Sequence, residues 1–451
     1  MAHSQTRPVG AARAVEPWER RFLGIVFASL VLGLPHEWTQ TSFTTGGSAS
    51  VILFYTPLLT VALLLGLQRR AAFTKAMWTD PLILLLLLWA LASSFWSTDF
   101  ATTARQTIAW FLATTFAFYV VTRLELREVL RLAALVMLIG TALNLIFIVA
   151  LPRWGQVVDP VDAAKSGWKG IASNKNSLGQ FSAAAVVILW MARRTFTRHR
   201  LLYTVGSIVN VFVLLGADAK TSLVSLIGTG ALLIVFRAFR AHRQFFGVVV
   251  IGLLMSSAIV LWLILRNRDT LASGLGRSGD LTGRTALWDD LVPAARKHLL
   301  QGYGWGGFWN GESSPATEIW IEHDWQPPDA HNLLLQLALD LGLVGVFLYL
   351  VSFLRGLGRG VVFLRDSADP IAMLPVVWFT FELLGSITEH GNLGRSGFWV
   401  LHVIFIIAVG VNAKKRRVAT SSPRPSRLQA LQHATQGATA FANEVSPDTA
   451  R

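Results

Sequence analysis

Cysteine is absent from this chain of 451 residues. That absence removes disulfides, thiolate metal ligands and cysteine nucleophiles together, and it leaves the redox compartment undetermined. Charge is also scarce: Asp, Glu, Lys and Arg make up 15% of the residues against 53% hydrophobic, and the mean hydropathy is +0.50. An ordinary soluble domain carries about a quarter charged residues, so a soluble globule of this length is excluded. Alternating apolar and polar segments are missing too; runs such as Leu82 to Ala92 and Val248 to Leu265 are apolar on every side, which argues against a transmembrane β-barrel. No internal repeat is visible, so the inverted-repeat signature of many secondary transporters is lacking at this level. The first apolar run, Phe22 to Leu34, has no small-residue cleavage pattern and reads as a first span rather than a removable signal.

What is present is a succession of apolar runs near bilayer length. We expect an all-α polytopic membrane protein of about twelve spans, near 22 to 34, 50 to 67, 81 to 96, 105 to 121, 129 to 151, 177 to 191, 201 to 216, 221 to 236, 245 to 265, 332 to 353, 371 to 388 and 397 to 411. The short loops holding Arg20 and Arg21, Arg69 with Arg70 and Lys75, Arg123 with Arg127, Arg193 to Arg200, Arg237 to Arg243, Arg355 to Arg365 and Lys414 to Arg417 all fall on one side. The positive-inside bias makes that side cytoplasmic and puts both termini there. The expected organisation is a cytoplasmic N-terminus over 1–21, nine spans over 22–265, a large periplasmic loop over 266–331, three spans over 332–411, and a disordered basic cytoplasmic tail over 412–451. The basic head of that tail sits where anionic lipid headgroups attract it.

The net charge of +14 is mostly topological, and no nucleic-acid motif accompanies it, so nucleic acid is not an expected partner. Two outer loops break the pattern by carrying several cations. Pro152 to Asn176 holds Arg153, Lys165, Lys169 and Lys175; the loop between the ninth and tenth spans holds Arg266, Arg268, Arg277, Arg284, Arg296 and Lys297. Long translocated segments do ignore the charge rule, which accounts for any single lysine. Their concentration in two loops points instead to anionic chemistry on the outer face.

Within the long loop, Gly283-Arg284-Thr285-Ala286-Leu287-Trp288 places Arg284 and Trp288 four apart, on one face of a helix begun after Gly283. The guanidinium forks onto phosphate oxygens while the indole offers a flat surface to a sugar or a polyprenyl chain; an interfacial Trp beside a snorkelling Arg is equally compatible with the pair. Gly302 to Trp309 is rich in glycine and aromatics, and Trp305 in it is a candidate sugar or lipid contact. It is no P-loop, for no Gly-Lys-Ser/Thr follows. His331-Asn332 opens the tenth span, where unpaired N–H groups and a positive dipole end suit an anion. His331 is suited to taking a proton or holding a phosphate, and Asn332 to touching substrate, though a helix-capping pair is the plain alternative. Glu312, Glu318, Glu322, His323, Asp324 and Asp329 show no metal-ligand spacing and read as a solvated acidic face, so no metal and no cofactor is expected. Lys220 heads the eighth span after the short turn from Gly216, with Asp218 as a possible ion-pair partner, and Lys169 and Lys175 sit among amides before the sixth span.

Taken in order, Gly-Trp-Lys-Gly then Asn-Lys-Asn-Ser-Leu-Gly, Lys-Thr-Ser-Leu, Gly-Arg-Thr-Ala-Leu-Trp, Gly-Tyr-Gly-Trp-Gly and His-Asn-Leu-Leu-Leu-Gln-Leu resemble the O-antigen ligase and Wzy-type polymerase superfamily, most of all its ExoQ branch of exopolysaccharide polymerases. The motifs cover residues 165 to 350, with Lys220 standing where many members carry arginine. Lysine keeps that charge but loses the bidentate fork. The resemblance implies a metal-independent glycosyltransferase of GT-C-like architecture in the bacterial inner membrane. Such an enzyme moves a glycan from undecaprenyl pyrophosphate to an acceptor hydroxyl at the periplasmic face by inverting displacement. By carry-over, Arg284 and Lys220 would bind the pyrophosphate, with Lys169 and Lys175 as weaker candidates, and His331 would be the base or an orienting group. Expected partners are the lipid-linked oligosaccharide, a glycan acceptor and membrane lipids, with a chain-length regulator and a flippase as further candidates. Three functions stay open: a polysaccharide polymerase, a ligase delivering finished glycan to a lipid A core or another acceptor, and, more remotely, a flippase of lipid-linked sugars. A flippase should line a central cavity with charge, whereas here the polar residues gather at outer loops.

Overall fold

Helix starts follow from capping chemistry written in the sequence. In the computed structural model Asp80 accepts from Leu82 N at 3.2 Å with Pro81 at the first helical position, Asp99 accepts from Thr102 N at 2.9 Å, and Asn174 accepts from Ser177 N at 2.9 Å. Glu125 and Glu128 form a reciprocal capping box. Each of these satisfies N–H groups that a helix start leaves without partners. The resulting helices are α1 (Pro17–Leu32), α2 (Ala49–Leu67), α3 (Arg70–Met77), α4 (Pro81–Ala92), α5 (Phe100–Arg123), α6 (Leu126–Ala150), α7 (Lys175–Thr195), α8 (Arg200–Gly216), α9 (Lys220–Ala241), α10 (Arg284–Lys297), α11 (Thr317–Glu322), α12 (Leu333–Asp366), α13 (Met373–Gly385) and α14 (Gly397–Ser421). A two-residue antiparallel ribbon, β1 (Gln156–Val157) with β2 (Gly167–Trp168), is the sheet among the described residues.

The structure describes residues 15–34, 49–158, 166–241, 284–309, 314–322, 327–387, 389, 393–394 and 396–421. The ninth expected span, Arg266, Arg268, Arg277, Gly283, Lys165, Glu312, His323, Asp324 and most of the expected tail lie outside them. Among the described residues, four helical stretches are long and apolar enough to cross a membrane: Leu126–Ala150, Thr197–Gly216, Leu333–Asp366 and Gly397–Lys414. A fifth crossing arises if α2 and α3, bent by 107° at their junction, count as one. Leu53, Leu64, Leu88, Ile208, Ile227 and Phe347 stand exposed on helix faces. A soluble protein does not display such surface, and the chain is a helical membrane protein.

The last helix departs from expectation. The composition shift after Asn412 suggested a disordered tail, but α14 continues through Lys414 to Arg417 as far as Ser421. Ala, Lys and Arg are good helix formers, so a helix already begun in apolar sequence propagates through them.

Ion pairs join one end of the bundle. Arg123 forks onto Glu19 at 2.5 and 2.6 Å, Arg69 stands 4.0 Å from the same carboxylate, Arg20 pairs with Glu128 at 3.0 Å, and Arg127 with Asp369 at 2.5 Å. These are the cations that the charge bias grouped on one side.

At the opposite end, α12 is broken. Gly342 (φ 63, ψ −168) interrupts the helix and frees carbonyls that must find other donors. Tyr303 N bonds to Leu339 O at 2.8 Å, Gly304 N to Asp340 O at 2.9 Å and the Trp89 indole to Leu341 O at 2.9 Å. The aromatic glycine-rich segment is therefore docked into the break. Its glycines at 302, 304 and 306 all have positive φ, where a side chain would be strained.

Candidate active site

Three helices begin in one neighbourhood, and a fourth enters it with a cation. Lys175 and Lys220 are the first residues of α7 and α9, α12 starts just after His331-Asn332, and Arg284 is the first described residue of α10. A chain of contacts connects these residues. Lys175 Nζ lies 3.8 Å from Asp218 Oδ2 in the turn before α9, and donates to Ser166 O at 3.2 Å. Arg284 Nη1 reaches the Thr221 hydroxyl, one residue past Lys220, at 3.4 Å. Arg284 Nη2 donates to Glu389 Oε1 at 2.8 Å, and the other oxygen of Glu389 stands 3.7 Å from His331 Nδ1. Helix N-termini present a positive dipole end, so their convergence favours an anion over and above the side-chain charges.

Close approach at this junction depends on a glycine. A Cβ on Gly179, the last residue of Asn-Lys-Asn-Ser-Leu-Gly, would lie 2.1 Å from the Cβ of Ala219. Only a bare backbone lets α7 abut the turn that delivers Lys220.

His331 is held in an uncommon conformation. Its φ is 47°, and the other described non-glycine residue with positive φ is Asp218 at 49°. Both lie in this site, and sparsely populated backbone of this kind persists where the surroundings over-determine it. For His331 the surroundings are plain: its N–H donates to Asp329 Oδ1 at 2.7 Å, and its Nδ1 stands 3.4 Å from the same oxygen. Asp329 is thus engaged and buried, which corrects its assignment to a solvated acidic face.

The other expected residues fall as follows. Trp288 shares a face of α10 with Arg284 and donates its indole N–H to Ala330 O at 2.8 Å, pinning the segment that leads into His331. Asn332 takes the capping role: Oδ1 accepts from Leu335 N at 2.9 Å, and Nδ2 donates to Ile387 O at 2.9 Å. With Leu333 N on Ser386 O at 3.0 Å, this ties the start of α12 to the turn after α13. Lys220 is exposed, and Lys169 is half-buried just past β2, its N–H on Gly155 O at 2.9 Å. Trp305 lies apart from these contacts: it is buried, its ring stacked on Trp110 at 4.1 Å, and its N–H donates to Ser93 Oγ at 3.0 Å. Burial pushes the Tyr303 phenol above its ordinary pKa, so this neighbouring hydroxyl stays a hydrogen-bond donor, given to Ala294 O, and supplies no base.

Three participants were not singled out by the sequence: Glu389, Thr221 and Asp329 in its engaged form. Glu389 follows the apolar run of α13 in Gly-Ser-Ile-Thr-Glu-His-Gly, and a carboxylate just past the end of an apolar helix is the signal that could have found it. Together the residues make a half-buried site in which a carboxylate bridges a guanidinium and an imidazole. The side chains of Arg284, Glu389 and His331 keep 11%, 16% and 16% of their surface, enough to meet a ligand.

Residues 171–350 match the family model described as O-antigen ligase. The exopolysaccharide production protein ExoQ of Rhizobium meliloti (strain 1021) is 22% identical over 341 residues, 73% of this chain and 75% of that protein. The chain is therefore similar to the O-antigen ligase family over its central segment and to ExoQ over most of its length, as the order of motifs implied. The matched segment contains Lys175, Lys220, Arg284, Trp288 and His331; Glu389 lies beyond it.

Proposed function

We propose that this protein is a polysaccharide polymerase of the bacterial inner membrane, of GT-C type, with about twelve spans, both termini cytoplasmic and the site facing the periplasm. It transfers a glycan from undecaprenyl pyrophosphate to a hydroxyl of the next lipid-linked repeat unit. The observation that carries the reading is Glu389 set between Arg284, at 2.8 Å, and His331, at 3.7 Å, among converging helices. Arg284 and Lys220, with Lys175 and Lys169 behind them, neutralise the pyrophosphate. His331 takes the proton of the acceptor hydroxyl at Nε2, because Nδ1 is turned toward the carboxylates of Asp329 and Glu389. The acceptor oxygen bonds to the anomeric carbon as the bond to pyrophosphate oxygen breaks, and the electron pair leaves on the pyrophosphate. A single inverting displacement is favoured because the carboxylates of the site are engaged, Asp329 by His331, Glu389 by Arg284 and Asp218 by Lys175, so that none stands ready as a covalent nucleophile.

A ligase of the same chemistry is the second reading, favoured by the description of the matching family model. The test is to incubate the purified protein in lipid with its lipid-linked repeat unit alone, plus a chelator, and to resolve products by size. A ladder of lengthening glycans with released undecaprenyl pyrophosphate supports the polymerase; unchanged substrate that is consumed only on adding a lipid A core acceptor moves the assignment to the ligase.

A further inference from the structure

Beneath the site lies a buried acid and base that the proposed chemistry does not use. Glu382, in the last turn of α13, and His402, in α14, are 1% and 2% exposed, and their Oε2 and Nδ1 are 2.7 Å apart. The other oxygen of Glu382 is buried with no hydrogen-bond partner among the described residues. A polar pair held so deep, with half of one carboxylate unmet, is a poor source of stability compared with well-packed apolar side chains. What it supplies that apolar packing does not is direction.

The pair occupies a meaningful place. Glu382 O accepts from Ser386 N at 2.8 Å, Ser386 O accepts from Leu333 N, and Glu389 N bonds to Gly385 O at 3.0 Å. The turn that presents Glu389 and ties down the start of α12 is thus the direct continuation of the turn that carries Glu382. On its other side, His402 is stacked on Trp399 at 5.2 Å, Trp399 meets Trp110 edge-on at 5.2 Å, and Trp110 is stacked on Trp305. Trp399 is fixed by its indole N–H on Thr114 Oγ1 at 2.8 Å. Trp305 belongs to the glycine-rich segment that follows α10, the helix opening with Arg284.

We propose that Glu382, His402, Trp399, Trp110 and Trp305 form one buried column of positioning residues, joining the turn that carries Glu389 to the segment behind Arg284 so that the two sides of the site keep their register. Trp305, by sequence a candidate sugar or lipid contact, acts in this column through its neighbours. Misplacement of reacting groups by about 1 Å can cost on the order of a hundredfold in rate, so a column of this kind acts on turnover more than on affinity. The activity arm of the test rests on the function proposed above; the distance arm does not.

Because the chain has no cysteine, Val292→Cys and Ile387→Cys, both at exposed positions, allow a pair of spin labels across the site on the full chain in lipid. In Glu382→Leu/His402→Leu, which fills the volume without the directional bond, the label-to-label distribution should broaden and kcat should fall about tenfold with KM little changed. Glu382→Gln with His402 retained keeps a hydrogen bond and should recover most of both. Trp305→Phe, at the opposite end of the column, should broaden the same distribution if the double variant fails to fold. An unchanged distribution and turnover in the double variant, or in Trp305→Phe, would overturn the proposal. Broadening in a protein whose parent makes no glycan product would keep the column and remove the polymerase.

Discussion

Two arginine–glutamate pairs sit at opposite ends of this bundle and differ in how completely each is satisfied. Arg123 and Glu19 keep 2% and 3% of their side-chain surface; both guanidinium nitrogens that face the carboxylate are bonded to it, and Tyr119 donates to the same group. Arg284 and Glu389 keep 11% and 16%, share one bond, and leave the second oxygen of the carboxylate facing His331. The first pair is saturated, so it fastens α1 to α5 and has nothing to offer a ligand. The second is held by fewer contacts beside a strained histidine, so a phosphate can compete for its arginine. Identical chemistry becomes structural or functional according to how completely each partner is satisfied.

The comparison is broken most severely by alanine. Arg284→Ala should cut product formation at least about a hundredfold, as loss of one charge-stabilising donor does, while the protein inserts and melts like the parent. Arg123→Ala should do the reverse: leaving Glu19 buried without its fork should cost about 3–5 kcal/mol of stability, while the folded remainder keeps near-parent turnover. Parallel thermal unfolding and product assays read both. If Arg284→Ala fails only by unfolding, the distinction between the two ends collapses. His331→Ala should follow at about a hundredfold loss, again with an unchanged unfolding transition.

How far the sequence announced this difference depends on the residue. Helix positions were legible because long apolar runs have few alternatives: each expected span within the described residues coincides with a helix, and four or five of these are long and apolar enough to cross a membrane. The positions of Arg284 and His331 near helix starts could be read from the glycine, proline and asparagine beside them. The position of Glu389 could not, since only packing of α13 against α9 and α12 delivers it to residues far earlier in the chain. Asp329 was read as solvated because it closes a run with Glu312, Glu318, Glu322 and Asp324 that has no metal-ligand spacing; a backbone N–H two residues on is what captures it. Trp305 looked like a ligand platform from composition alone, and composition cannot tell that its face is covered by Trp110.

Glu389 sharpens the comparison with a smaller effect. Glu389→Gln keeps the shape but removes the charge that competes with phosphate for Arg284, so KM for the donor should fall. The same change takes away the carboxylate that faces His331 Nδ1, so kcat should also fall, by about tenfold. Opposite movements in steady-state binding and turnover are the signature; a rise in KM would mean that Glu389 contributes directly to donor binding.

The smallest effect is expected at Arg296, and it tests whether cationic charge alone defines the site. Arg296 lies in the last turn of α10, exposed, at the end of the same helix that Arg284 begins. There it favours the negative end of the helix dipole, a contribution of about 0.3–1 kcal/mol to stability. It lies about 18 Å from Arg284 along the axis at 1.5 Å per residue, beyond a Debye length at physiological salt. Arg296→Ala should therefore change turnover by less than about twofold and lower stability only slightly. A loss equal to that of Arg284→Ala would show that the long loop responds to its total charge, and the convergence of helix starts on Arg284 would lose its special standing.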